Sequence, residues 1–163
     1  MSRRLSAFTL VEILVTIGVA AVLAVVLFYL LNPSKRIGQG GDARRITDLQ
    51  TIVHALELYT ADHRVLPWQI AAAAIAPGQK YVLCSAPALL SCSGQSNDCL
   101  VITDTNFIGP YLAALPIDPA RTAVTDTGYY VARSATNTLV VGACSAYGDS
   151  PLGVVSTINL PPR

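Results

Sequence analysis

Charge is scarce in this sequence of 163 residues: eleven Lys/Arg and ten Asp/Glu make up 13% of the chain, with a formal net charge of +1. No Lys/Arg block follows Arg45, so there is no basic footprint for nucleic acid, and a DNA-binding role has no compositional support. Histidine is limited to His54 and His63, nine residues apart on one expected helix. That spacing puts them on opposite faces, where one metal cannot easily use both. The motifs of serine hydrolases, zinc peptidases and P-loop enzymes (G-x-S-x-G, H-E-x-x-H, G-x-x-x-x-G-K-[ST]) are all missing. GQGGD, residues 38–42, follows an apolar span rather than a strand, which favours a hinge over a phosphate cradle. There is no internal repeat, and the length leaves room for one domain with a modest core.

The apolar residues are concentrated in FTLVEILVTIGVAAVLAVVLFYLL, Phe8 to Leu31. From Ile13 to Leu31 there are nineteen residues without a charge or a proline. At about 1.5 Å per helical residue they nearly span a hydrocarbon core of about 30 Å. A cleaved secretory signal has an apolar core of about 7 to 15 residues followed by a small-residue site, whereas this run is longer and leads into Asn32 and Pro33. Arg3, Arg4 and the terminal amine place the start of the chain in the cytoplasm, while Lys35, Arg36, Arg44 and Arg45 argue the other way. The cysteines weigh more. Cys84, Cys92, Cys99 and Cys144 form an even set without C-x-x-C, which reads as two disulfides in an oxidising compartment rather than as a zinc site. Of the three connectivities, the favoured one joins Cys92 to Cys99 around SGQSND and Cys84 to Cys144 across the last third. Each bond adds about 2 to 4 kcal/mol.

After a short basic start, residues 1–7, and the apolar span, 8–31, the stretch NPSKRIGQGG suggests a hinge over 32–41. Pro33, Gly38, Gly40 and Gly41 are expected to break or loosen the helix there. A head then follows over 42–163. Asp42 is the expected N-cap of a second, amphipathic helix. Its apolar stripe, Ile46, Leu49, Ile52, Val53, Leu56 and Tyr59, is expected to be core under a sheet. WQIAAAAIAPGQK reads as a short Ala-rich helix, residues 79–110 as a long irregular connection, and NFIGPYLAALPIDP as a short helical or extended turn. GYYVARS, TLVVGACSA and GVVSTINL read as an antiparallel meander. The fold class is therefore α+β, a long N-terminal helix on a small antiparallel sheet. Asp104, Asp118, Asp126 and Asp149 lack EF-hand spacing; turn and capping roles are expected for them, with Ca²⁺ as the lesser alternative and no other cofactor.

Glu12 does not fit a simple anchor. A carboxylate in a membrane costs about 2.5 to 3.5 kcal/mol on insertion scales and usually marks function. It lies four residues after Phe8, which follows the small Ala7. A cut between Ala7 and Phe8 would create an ammonium that a carboxylate one helical turn away, on the same or a neighbouring chain, could compensate. SAFTLVEILVTIGV resembles the leader and mature start of type IV pilins and type II secretion pseudopilins, a resemblance specific over residues 2–31. It continues more loosely through the second helix and into LPIDP, TGYYV and VVGACSA. The sequence departs from the commonest pattern in having Ala rather than Gly at position 7.

The resemblance implies a prepilin peptidase that cuts after Ala7 and methylates the Phe8 amine, and pairing of Glu12 with the terminal amine of an adjacent subunit. It also implies a helical homopolymer built by an assembly ATPase and platform protein. The precursor is expected as a single-pass inner-membrane protein with its head outside the cytoplasm, and the product as an extracellular or periplasmic filament without catalytic activity. The alternatives are a pseudopilin of a type II secretion or DNA-uptake system and, further off, a membrane-anchored binding module.

Overall fold

The computed structural model describes residues 8–31, 33–87, 92, 99–121, 125–148 and 152–160. Two helices lead, α1 (Leu10–Leu31) and α2 (Pro33–His63), then a short α3 (Trp68–Ala72). Five strands follow: β1 (Lys80–Cys84), β2 (Leu100–Val101), β3 (Asp126–Arg133), β4 (Thr138–Ala143) and β5 (Gly153–Asn159). The chain divides into two compact units, Met1–Gly38 and Gln39–Arg163.

In the first unit, α1 is uninterrupted by proline or charge after Glu12, and none of its residues is buried. By length and composition it is apolar enough to cross a membrane, a property that anchors and signal sequences share. Its hydroxyl at Thr16 donates to the Ile13 carbonyl at 2.8 Å, so this polar group is satisfied within the helix. Near its end, Arg36 Nε donates to the Leu31 carbonyl at 3.3 Å, covering one of the carbonyls a helix terminus leaves over.

Over 33–41 the expected break is not found. Pro33 is the first residue of α2, where its missing N–H and fixed φ are tolerated, and Gly38, Gly40 and Gly41 lie inside that helix. Each glycine costs about 1 kcal/mol relative to alanine, too little to stop a helix anchored further on by a buried stripe. Asp42 is accordingly a helix-interior residue and not the expected N-cap. Its carboxylate accepts from Arg45 Nη1 at 2.8 Å and from the Tyr147 backbone N–H at 3.0 Å. The boundary between the two units, Gly38/Gln39, lies inside this continuous helix.

In the second unit the sheet order is β2-β1-β3-β4-β5, antiparallel except for the parallel β1–β2 pair. The β3–β4–β5 meander is as expected. β1 and β2 are additions within the stretch read as irregular. Along β3 the side chains alternate: Tyr129 and Val131 enter the main core with Leu49, Ile52, Val53, Leu56 and Tyr59 of α2. Tyr130, between them, enters a smaller cluster on the opposite face with Val82, Cys84 and Cys92. The second face is thus covered over β1 and β3, while Val155 of β5 on that face is 63% exposed. Ile46 departs from the expected stripe and is 41% exposed. Gly142 is paired with Tyr130 across β3 and β4, and a Cβ there would collide with the Tyr130 ring.

The disulfides correct the favoured pairing. Cys84 bonds Cys99, with Cα atoms 6.0 Å apart, and Cys92 bonds Cys144, at 4.9 Å. The reason is the parallel pair: Leu83 lies beside Leu100 and Cys84 beside Val101, so Cys99 arrives next to the end of β1. Cys92 is buried in the smaller cluster, where Cys144 packs after leaving β4.

Candidate functional site

The N-terminal segment is built from the start of α1. Thr9 precedes the helix, and its Oγ1 and carbonyl both accept from the Glu12 backbone N–H, at 3.3 and 3.1 Å. The same carbonyl accepts from Ile13 N–H at 3.3 Å. Thr9 is therefore the N-cap, and Glu12 stands three residues later, the spacing of a capping box. A carboxylate in the first turn also lies favourably in the helix dipole. This gives Glu12 a local role that the sequence reading left out, although T-x-x-E ahead of an apolar run is its signature. Phe8, at the head of this segment, is 70% exposed. Ala7 lies outside the described residues, as does the loop 93–98 of the expected Cys92–Cys99 bond, so the Ala7–Phe8 bond has no described geometry. Phe8 and Glu12 remain one turn apart in the chain, at the N-terminal end of a helix whose apolar side chains are all exposed.

The remaining expected residues separate from this segment. The disulfides belong to the head and tie Cys99 to the end of β1 and Cys92 to Cys144 just past the end of β4. His54 is exposed, and the His63 ring stacks on Tyr59 with centroids 4.3 Å apart. Asp104 accepts from the Asn106 N–H at 2.9 Å, and Asp126 from the Gly128 N–H at 2.9 Å with Arg121 Nη1 at 3.5 Å. These are turn and capping roles. Asp149 lies outside the described residues. Among the described residues no group of three or more His, Cys, Asp or Glu is placed to hold a metal ion.

One charged centre in the head escaped the sequence reading. Arg45, 6% exposed, meets Asp118, 1% exposed, through two parallel hydrogen bonds: Nε to Oδ2 at 3.0 Å and Nη2 to Oδ1 at 2.8 Å. The same Oδ1 accepts from the Ala120 N–H at 2.8 Å. The Asp118 hydrogen bonds raise the Arg45 pKa against the opposing cost of burial, so the guanidinium stays charged. Gly128 is needed beside it, since it takes φ +76° and a Cβ there would lie 2.8 Å from Asp118 Cβ. Nearby in the core the Tyr129 hydroxyl donates to Asp48 Oδ2 at 2.6 Å. Separations of 73 and 81 residues explain why no local pattern announced either contact. Both lock α2 to the head.

No family model, no curated protein and no solved structure matches the chain.

Proposed function

We propose that the chain is a structural subunit of a type IV pilus-like filament. It is made as a membrane precursor, cut between Ala7 and Phe8 and polymerised through α1. The observation that carries this reading is a helix of 22 residues with no buried residue, headed by Glu12. An apolar surface of that extent needs lipid or other copies of itself around it. In the precursor, α1 lies in the inner membrane; in the filament, it packs against its neighbours. The carboxylate near its N-terminal end then pairs with the new Phe8 ammonium of an adjacent subunit, which fixes register between chains. The head needs no catalytic group for this role. Its two disulfides suit a domain held outside the cytoplasm.

The intact mass of the mature protein tests the cut. Loss of residues 1–7 with gain of one methyl group is expected; an intact N-terminus overturns the reading. Glu12→Ala is expected to leave the precursor inserted and cleaved but to abolish or strongly reduce incorporation into sheared filaments seen by electron microscopy. Because Thr9 retains its own capping oxygens in this variant, lost incorporation with unchanged helicity assigns the effect to the contact between subunits.

A further inference from the structure

Each disulfide of the head skips a cysteine. In chain order the first, Cys84, is bonded to the third, Cys99, and the second, Cys92, to the fourth, Cys144. An unfolded chain does not reach that order first. Cys92 and Cys99 lie seven residues apart around SGQSND, whereas the bonded pairs are separated by 15 and 52 residues. The chance of closing a flexible loop falls as about the 3/2 power of its length. Cys92 therefore meets Cys99 about twentyfold more often than it meets Cys144, and about threefold more often than Cys84 meets Cys99. Cys84 and Cys92 are eight residues apart, but SAPALLS between them holds Pro87, which stiffens that loop.

The fold supplies the means of correcting the first bond. All four cysteines gather in one cluster, Cys84 and Cys92 buried in it and Cys99 and Cys144 packed against it. β1 and β2 pair in parallel with Cys84 beside Val101, and the Ile102 N–H donates to the Cys84 carbonyl at 3.0 Å. This register delivers Cys99 to Cys84, with Cα atoms 6.0 Å apart. Cys92 lies outside the strands, so strand pairing selects Cys99 over Cys92 as the partner of Cys84. A thiolate brought beside a disulfide sulfur displaces its partner without any net oxidation.

We propose that Cys84–Cys99 forms by thiol–disulfide exchange from an earlier Cys92–Cys99 bond, driven by the pairing of β1 with β2. A two-electron thiol oxidant first takes two electrons and two protons from Cys92 and Cys99 and joins their sulfurs. The Cys84 thiolate then attacks the Cys99 Sγ: the Cys84–Cys99 bond forms, the Cys92–Cys99 bond breaks, and Cys92 leaves as the thiolate. A second equivalent of oxidant takes two electrons and two protons from Cys92 and Cys144 and closes the last bond. Cys84 is the attacking residue because it lies 15 residues from Cys99, against 52 between Cys144 and Cys92. That is an advantage of about sixfold before any strand forms. The route is independent of filament assembly.

The test starts from the full chain, reduced, with α1 in detergent micelles and the head unfolded in urea. One molar equivalent of diamide, an oxidant that carries no thiol, makes one bond per chain. The urea is then diluted at about pH 8, close to the ordinary thiol pKa of about 8.5. Samples are quenched in acid over time, free thiols are alkylated, and the bonds are located by peptide mass mapping. Cys92–Cys99 is expected to predominate at first and to give way to Cys84–Cys99 as Cys92 becomes open to alkylation. In Cys84→Ser the Cys92–Cys99 bond is expected to persist at least fivefold longer, and in Cys144→Ser to transfer at the rate of the unaltered chain. Four results would each overturn the proposal: Cys84–Cys99 as the first bond; transfer as fast in undiluted urea; an unchanged lifetime of Cys92–Cys99 in Cys84→Ser; or loss of transfer in Cys144→Ser.

Discussion

At the scale of single residues the head depends on a few polar groups taken fully out of water. Tyr129 is buried with its hydroxyl on Asp48, and burial, reinforced by that carboxylate, pushes its pKa far above the usual phenol range. Tyr130 is raised by burial, Tyr59 by burial and then by Asp104, and Tyr111 by its hydrogen bond to Asp62. A phenol that resists ionisation in the folded state holds its proton where the unfolded chain has lost it. The stability this contributes is therefore complete below about pH 10 and declines as the pH rises past that value. Alkaline titration is expected to show tyrosinate absorbance arriving together with loss of the near-ultraviolet circular dichroism, and Tyr129→Phe to weaken that coupling. A coupling unchanged in Tyr129→Phe would count against the assignment. Arg45→Met leaves the Asp118 carboxylate buried without its partner and is expected to cost about 3 to 5 kcal/mol in denaturant unfolding. Replacing both residues by apolar ones should recover part of that loss. Glu12 stands out in the sequence as a charge at the edge of an apolar run, whereas Thr9 is one of many hydroxyl residues and its capping role shows only through the T-x-x-E spacing.

Among the elements, α2 was the most legible and its beginning the least. The stripe from Leu49 to Tyr59 is buried as its period required, since a helix lying on a sheet has one direction in which to hide apolar side chains. Leu56→Ala is expected to cost about 2 to 5 kcal/mol, and Ile46→Ala about 0.5 kcal/mol or less. Thermal or denaturant unfolding of the two variants would reverse the assignment of the stripe if Ile46 proved the costlier. The glycines at 38, 40 and 41 were read as a break because local preference is all that a sequence displays. Helix α2 continues through them, at odds with that preference. β3, β4 and β5 were legible from β-branched and aromatic runs. β1 is a run of five residues in a turn-rich stretch and β2 only two residues long. Their pairing is non-local and parallel, and neither leaves a periodic mark of its own.

For the whole molecule, the α+β layout was legible, and the number of disulfides followed from the even count. The partners did not, because pairing depends on strand register and on which face of the sheet a segment covers. Cys84–Cys99 closes a loop of 15 residues and Cys92–Cys144 one of 52. Taken singly, the chain-entropy estimate is about 3 and about 4 kcal/mol. The loops overlap, so the sum does not apply, yet reduction is expected to lower the unfolding midpoint markedly. A midpoint unmoved by reductant would mean that the packing of α2 on the sheet suffices. Among the described residues both apolar clusters draw only on ones after the Gly38/Gln39 boundary, so a chain starting at Gln39 is expected to unfold cooperatively as a soluble domain. The interleaved order of the two bonds also determines what survives when the backbone is severed. One cut between Ser85 and Pro87 and another between Leu100 and Ala143 leave three pieces. Cys84–Cys99 ties the first piece to the middle, and Cys92–Cys144 ties the middle to the last. Such a doubly nicked head travels as one covalent body until reductant is added, whereas the nested pairing first favoured would have let the middle piece go.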